Sequence, residues 1–276
     1  MDLLTAPFEA TRRHAAPPVW RPFVAVSAAM LAVVGAGRFL VERGGALANL
    51  GVALEGAGVH GGFIAQGLVI ALAGQGAWVG SALRIAAVLM AGFLLGRLAP
   101  WGGLLLAAAP LVLLHEGRRH PLLSRIGALT PVRPASLAIG LAVGAFLGAH
   151  LLITASLTFG YGVSVVGVGV YAAAVAYDVG ANALSAEWLF RGALFSHWWR
   201  HWGFWGAAAT STGLSLVRYL LDPALPHTAE ARAGAIFYLA ALGVATSVLR
   251  AWSGSLLPGY CASVAFFAAY RTLVVW

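Results

Sequence analysis

The chain has 276 residues, 61% of them hydrophobic and only 9% charged, with a formal net charge of +8. An ordinary soluble domain carries roughly 25% charged residues, so this composition excludes a water-soluble globular chain and points to an all-α polytopic membrane helical bundle. All 17 basic residues are arginine, scattered at the ends of apolar runs, which excludes the clustered basic face of a nucleic-acid-binding domain. The absence of lysine beside abundant Ala, Gly and Arg fits the codon usage of a GC-rich bacterial genome.

A membrane-crossing helix needs about 20 mostly apolar residues. In chain order such runs are Phe23–Val41, Gly61–Trp78, Leu83–Leu98, Gly102–Leu114, Ala135–Leu157, Val163–Tyr177, Ala183–Trp199, Gly203–Leu221, Gly234–Leu249 and Leu256–Val274, which gives about eight to ten transmembrane helices. The first run follows Arg12, Arg13 and Arg21 and lacks a small-residue cleavage site, so it is read as an uncleaved span behind a short polar tail. Gly44–His60 is read as a loop. The stretch from Pro134 to Tyr177 contains no charged residue and is read as two crossings with Phe159–Gly162 as the turn; a further turn is expected near Asp178. Residues 1–134 form an N-terminal set of helices ending in an Arg-rich loop, and residues 135–276 form the core. That loop, His115–Pro134, holds Arg118, Arg119, Arg125 and Arg133 and lies four spans from the basic N-terminal tail. The positive-inside rule therefore places both in the cytoplasm, in a bacterial inner membrane. Trp20, Trp78, Trp101, Trp199, Trp202, Trp252 and Trp276 fall near span ends, as an aromatic belt requires. Gly140, Gly144 and Gly148 recur every four residues and predict a close helix–helix contact. The single cysteine, Cys261, cannot form an intramolecular disulfide.

Ionisable residues inside spans are expensive and are candidates for function. They are Arg38, Arg97, Asp178, Glu187, Arg191, Arg218 and Arg271, with His150 read as a hydrogen-bonded core histidine. Arg38, Arg97 and Arg271 stand near span ends, where their heads can reach the headgroups. Glu187 and Arg191 are four apart and share a helix face. His115-Glu116 lacks the second histidine of a zinc-protease helix, since Arg119 stands there. His197 and His201 could offer two metal ligands but sit among Trp198, Trp199, Trp202 and Trp205, as an interfacial cluster does. No metal and no cofactor is expected.

The run Ala186-Glu187-Trp188-Leu189-Phe190-Arg191-Gly192 resembles the first motif, Glu-Glu-x-x-x-Arg, of the CPBP family: the CAAX-processing and bacteriocin-processing (Abi) intramembrane proteases, whose myxosortase-like branch acts on C-terminal sorting signals. The family's second motif, Phe-x-x-x-His, falls on Leu214-Ser215-Leu216-Val217-Arg218. Its third, His-x-x-x-Asn or Asp, follows Gly254-Ser255-Leu256-Leu257-Pro258 and falls on Ser263 and Phe267. The resemblance covers roughly Asp178 to the C-terminus. It implies that Glu187 and Arg191 retain part of a catalytic set whose other positions are Ala186, Arg218, Ser263 and Phe267. Alanine is no base, and arginine stays protonated with no lone pair to accept a proton. The resemblance therefore implies a non-catalytic relative that binds a membrane protein segment, or a lipidated or sorting-signal terminus, or regulates a true protease. Two other readings are an active endopeptidase using Glu187 and, from a different class, a small-solute transporter, which paired repeats would favour. Glu187 is expected to pair with Arg218, shared with Arg191, with Asp222 as the competitor for Arg218. Beyond that terminus, the partner expected is the lipid bilayer and no nucleic acid.

Overall fold

The computed structural model describes residues 20–72, 78–127, 132–165, 167–221 and 228–274. Arg12, Arg13, Asp222 and Trp276 lie outside them. The described chain is helical almost throughout and divides into two compact units, one of Ala16–Ser124 with Ser164–Leu189, the other including Arg125–Val163 and Phe190–Trp276. Among the described residues four helices are long and apolar enough to cross a membrane: α1 (Trp20–Arg43), α3 (Trp78–Leu98), α5 (Pro134–Phe159) and α9 (Ala229–Ser253).

In the first unit, Gly44 alone separates α1 from α2 (Gly45–Ala71). Gly44 and Gly45 have φ of 72° and 59°, a region open chiefly to glycine, and the chain turns there straight into the next helix. The two helices meet through glycine. A Cβ on Gly37 would lie 2.7 Å from the Gly51 carbonyl oxygen, and one on Gly51 would lie 2.6 Å from the Gly37 carbonyl oxygen, so only small residues permit this approach. The expected Gly44–His60 loop is therefore corrected: only Gly44 lies outside the helices, and Gly45–His60 are helical. Their polar members are satisfied within the unit, Glu55 by Arg38 at 3.1 Å and His60 as described below. Arg38 thus has a protein partner besides access to the headgroups, and Arg97 likewise donates to Asn49 at 3.2 Å.

After α3 come a 3₁₀ segment, Pro100–Ala108, and α4 (Ala109–Arg119). The chain returns to this unit as α6 (Val168–Tyr177), a π-helical turn at Asp178–Asn182, and α7 (Ala183–Ala186). Gly180 sits so close to the Leu106 carbonyl that no side chain fits. The turn expected near Asp178 is absent, because helix continues unbroken through it. Asp178 and Asn182 are both buried, and the Asn182 amide donates to the Asp178 carboxylate at 2.9 Å. Asp178, near which a turn was expected, is instead satisfied inside one helical run that begins at Val168 and continues through Ala183–Trp199.

In the second unit, α5 ends at Phe159 with Gly160 as a left-handed cap (φ 69°), at the expected turn. Two short strands, Gly162–Val163 and Leu273–Val274, pair antiparallel. The glycine stripe of α5 packs on α10 (Leu257–Tyr270) as expected. Cβ atoms at Gly140 and Gly144 would overlap the carbonyls of Pro258 and Ala262, and one at Gly148 would lie 2.6 Å from Ala269. A π-helical segment, Glu187–Leu194, leads into α8 (Phe195–Leu220), which breaks at Gly203 (φ 68°, ψ −178°). Gly254 (φ 71°) ends α9. The fully buried Arg250 donates to Ser196 at 3.3 Å, and its guanidinium occupies the space a side chain on Gly127 would need. The Gly127 carbonyl in turn accepts from the Leu256 amide at 2.9 Å, which fixes the start of α10.

Candidate functional site

Ala186 and Glu187 belong to the first unit, and Arg191, Arg218, Ser263 and Phe267 to the second. Ala186 is 3% exposed and Glu187 4%. The segment Glu187–Leu194 that carries the Glu187-to-Gly192 run is π-helical, a rare form that concentrates at functional sites. Within the second unit, Arg191 is buried and its Nε donates to the Thr246 hydroxyl at 3.1 Å. It can lie there because Gly243 has no side chain: a Cβ on Gly243 would stand 2.5 Å from the Arg191 guanidinium. Arg218, in the last turn of α8, stacks over the Tyr219 ring at 4.3 Å. Tyr219 lies 5.7 Å from the Phe267 ring, and Ser263 is buried one turn earlier on α10. The unit thus brings Arg218, Tyr219 and Phe267 together, a cation beside two aromatic rings, with no imidazole at the second- or third-motif positions.

The first unit holds a polar network that escaped the sequence reading. His60 on α2 is buried; its Nδ1 is 2.9 Å from the Ser185 hydroxyl and its Nε2 3.1 Å from the Tyr177 hydroxyl. The imidazole ring also stacks on Phe93 at 6.1 Å. Trp188 Nε1 donates to the Ile64 carbonyl at 3.0 Å and packs where Gly67 leaves room. Asp178, Asn182 and Ser185 recur at i, i+4 and i+7, a helical spacing that could have signalled one continuous helix; the place of His60 beside Ser185 could not be read, since its partners are more than 100 residues away in sequence.

A second buried charge was also missed. The Arg84 guanidinium grips Glu116 in two places, Nε to Oε1 at 2.8 Å and Nη2 to Oε2 at 2.7 Å, and Ser81 donates to Oε2 at 2.5 Å. This bidentate contact holds the Glu116 carboxyl at about 2, below the usual glutamate range and against the opposing effect of burial. Glu116 therefore serves as a structural anchor between α3 and α4. His150 makes the expected hydrogen bond, with its Nδ1 2.7 Å from the Tyr238 hydroxyl, but it is exposed on α5 rather than buried in the core.

These features define an integral membrane protein of the helical-bundle class. Comparison with protein-family models, curated proteins and solved structures found no match.

Proposed function

We propose that this chain is a non-catalytic relative of the CPBP intramembrane glutamic proteases. It binds a membrane protein segment, or a lipidated or sorting-signal terminus, and so assists or regulates processing or sorting. The observation that carries the reading is the identity of the residues where the motifs fall. Alanine stands at 186, buried, and Arg218 stacks on a tyrosine where the family has a histidine. A general base must be titratable and within reach of its water. Ala186 has no titratable group and Arg218 stays protonated, while Glu187 and Arg191 are retained on a buried π-helical segment suited to structure or recognition. The reading places the chain in a bacterial inner membrane with its N-terminus in the cytoplasm. A reporter fused within the loop after α4 should then show cytoplasmic exposure; alkaline phosphatase activity from that site would reverse the orientation.

The functional test is genetic and biochemical together. Membrane proteins that co-purify with the chain from native membranes should be mis-sorted or incompletely processed when its gene is deleted. Unchanged processing and location of every co-purifying protein would sink the proposal.

A further inference from the structure

The break at Gly203 folds α8 back on itself. Phe195 clusters with Ala207 and Ala208, and its ring lies 5.9 Å from that of Phe204. A straight helix rises 1.5 Å per residue and would hold Phe195 and Ala207 about 18 Å apart. The segment around residues 200–204 is therefore the apex of a helical hairpin. Water-exposed backbone is not tolerated among acyl chains, so such an apex belongs at the bilayer surface.

The apex has a distinctive composition. His201, Trp202 and Gly203 are exposed, with Trp202 at 55% and Trp205 at 72%. Trp198 and Trp202 stack nearly parallel at 5.6 Å. The His197 and His201 rings lie 5.3 Å apart, and the Arg200 guanidinium is 3.5 Å from His197 Nδ1. No aspartate or glutamate occurs between residues 195 and 210. Among the described residues no group of three or more metal-ligating side chains forms here, and a guanidinium beside an imidazole repels a metal cation. The same arrangement attracts an anion.

We propose that this apex binds the phosphate of an anionic phospholipid headgroup. Arg200 supplies the charge-assisted hydrogen bonds that guanidinium forms well with phosphate. His197 and His201 add donors beside it, and the exposed indoles of Trp202 and Trp205 lie at headgroup level, where tryptophan is favoured. A basic side chain at the membrane surface is attracted to the acidic headgroups of anionic lipids. The site is independent of Glu187, Arg218 and the proposed binding of a protein terminus.

The test uses delipidated full-length protein titrated with phosphatidylglycerol or phosphatidylcholine and read by native mass spectrometry. The wild type should retain phosphatidylglycerol in preference to phosphatidylcholine. Arg200→Gln should lower phosphatidylglycerol affinity about tenfold, as loss of one charge-assisted contact implies. Arg200→Lys should keep most of it, and Arg232→Gln, which removes an exposed arginine elsewhere, should leave it unchanged. Should Arg200→Gln fail to fold, Trp202→Ala provides the second reading, with weaker retention of both lipids at intact charge. Equal affinity for the two lipids, an equal loss in Arg232→Gln, undiminished binding in the folded variant of either apex residue, or displacement of the lipid by inorganic phosphate at matched concentration would each overturn the proposal.

Discussion

Gly144→Val is expected to destabilise the second unit strongly. α5 lies against α10 at backbone distance, and at Gly144 the space a Cβ would take is filled by the Ala262 carbonyl. A flexible side chain could swing away from such a clash; a helical carbonyl cannot without moving its helix. Overpacking in a close-fitted interior costs about 1–3 kcal/mol, and a branched side chain against backbone should reach the top of that range. The readout is the yield of monodisperse protein in detergent and its thermal midpoint. Gly213→Ala is the matched control, because no atom outside its own helix lies within 4 Å of a Cβ there. It should be neutral or stabilising by about 0.5–1 kcal/mol, through reduced backbone freedom in the unfolded chain. A Gly144→Val protein that melts with the wild type would mean α5 and α10 do not touch as described.

Arg84→Ala should be the second most damaging change, and more so than Glu116→Gln. The asymmetry follows from exposure: the Arg84 side chain is 46% exposed and that of Glu116 0%. Removing Arg84 takes both guanidinium hydrogen bonds from a carboxylate with no solvent exposure and leaves it only Ser81, with His120 Nε2 3.9 Å away, so a buried charge loses most of its compensation. Neutralising Glu116 leaves an arginine that water can still reach. The linkage has a definite sign. Glu116 is held at about 2 in the folded chain, below its unfolded value of about 4.3. Its stabilisation is therefore complete above about pH 4.3 and is lost as pH falls from there towards 2. Unfolding midpoints measured across that window should fall for the wild type and change less for Glu116→Gln. Identical acid profiles for the two would show that this contact does not anchor α4.

The fold class was legible because composition alone decides it: a chain with so few charges has nothing with which to cover a water-facing surface. The stripe of Gly140, Gly144 and Gly148 was legible for a similar local reason, as its spacing already states which face must touch. What could not be read were helices whose polar residues are satisfied from a distance. Glu55 and His60 lowered the hydropathy of residues 44–60 enough to suggest a loop, yet Arg38 and the Ser185–Tyr177 pair meet them across the unit. Asp178 misled in the same way, since the Asn182 amide satisfies its carboxylate inside the helix where a turn was expected. Of the candidate site, the run from Ala186 to Gly192 stood out because its residues are contiguous. Arg84 with Glu116, and Arg250 with Ser196, are partnerships that only the fold brings together.

With no base at 186 and no imidazole at 218, the proposed function predicts that the chain does not cleave peptides. It is tested most directly by turnover of prenylated and membrane-segment peptides by the purified chain, wild type against Glu187→Gln. The expected result is background turnover by both, with no difference between them. Cleavage by the wild type that Glu187→Gln abolishes would contradict the account and establish an active protease with Glu187 at its centre.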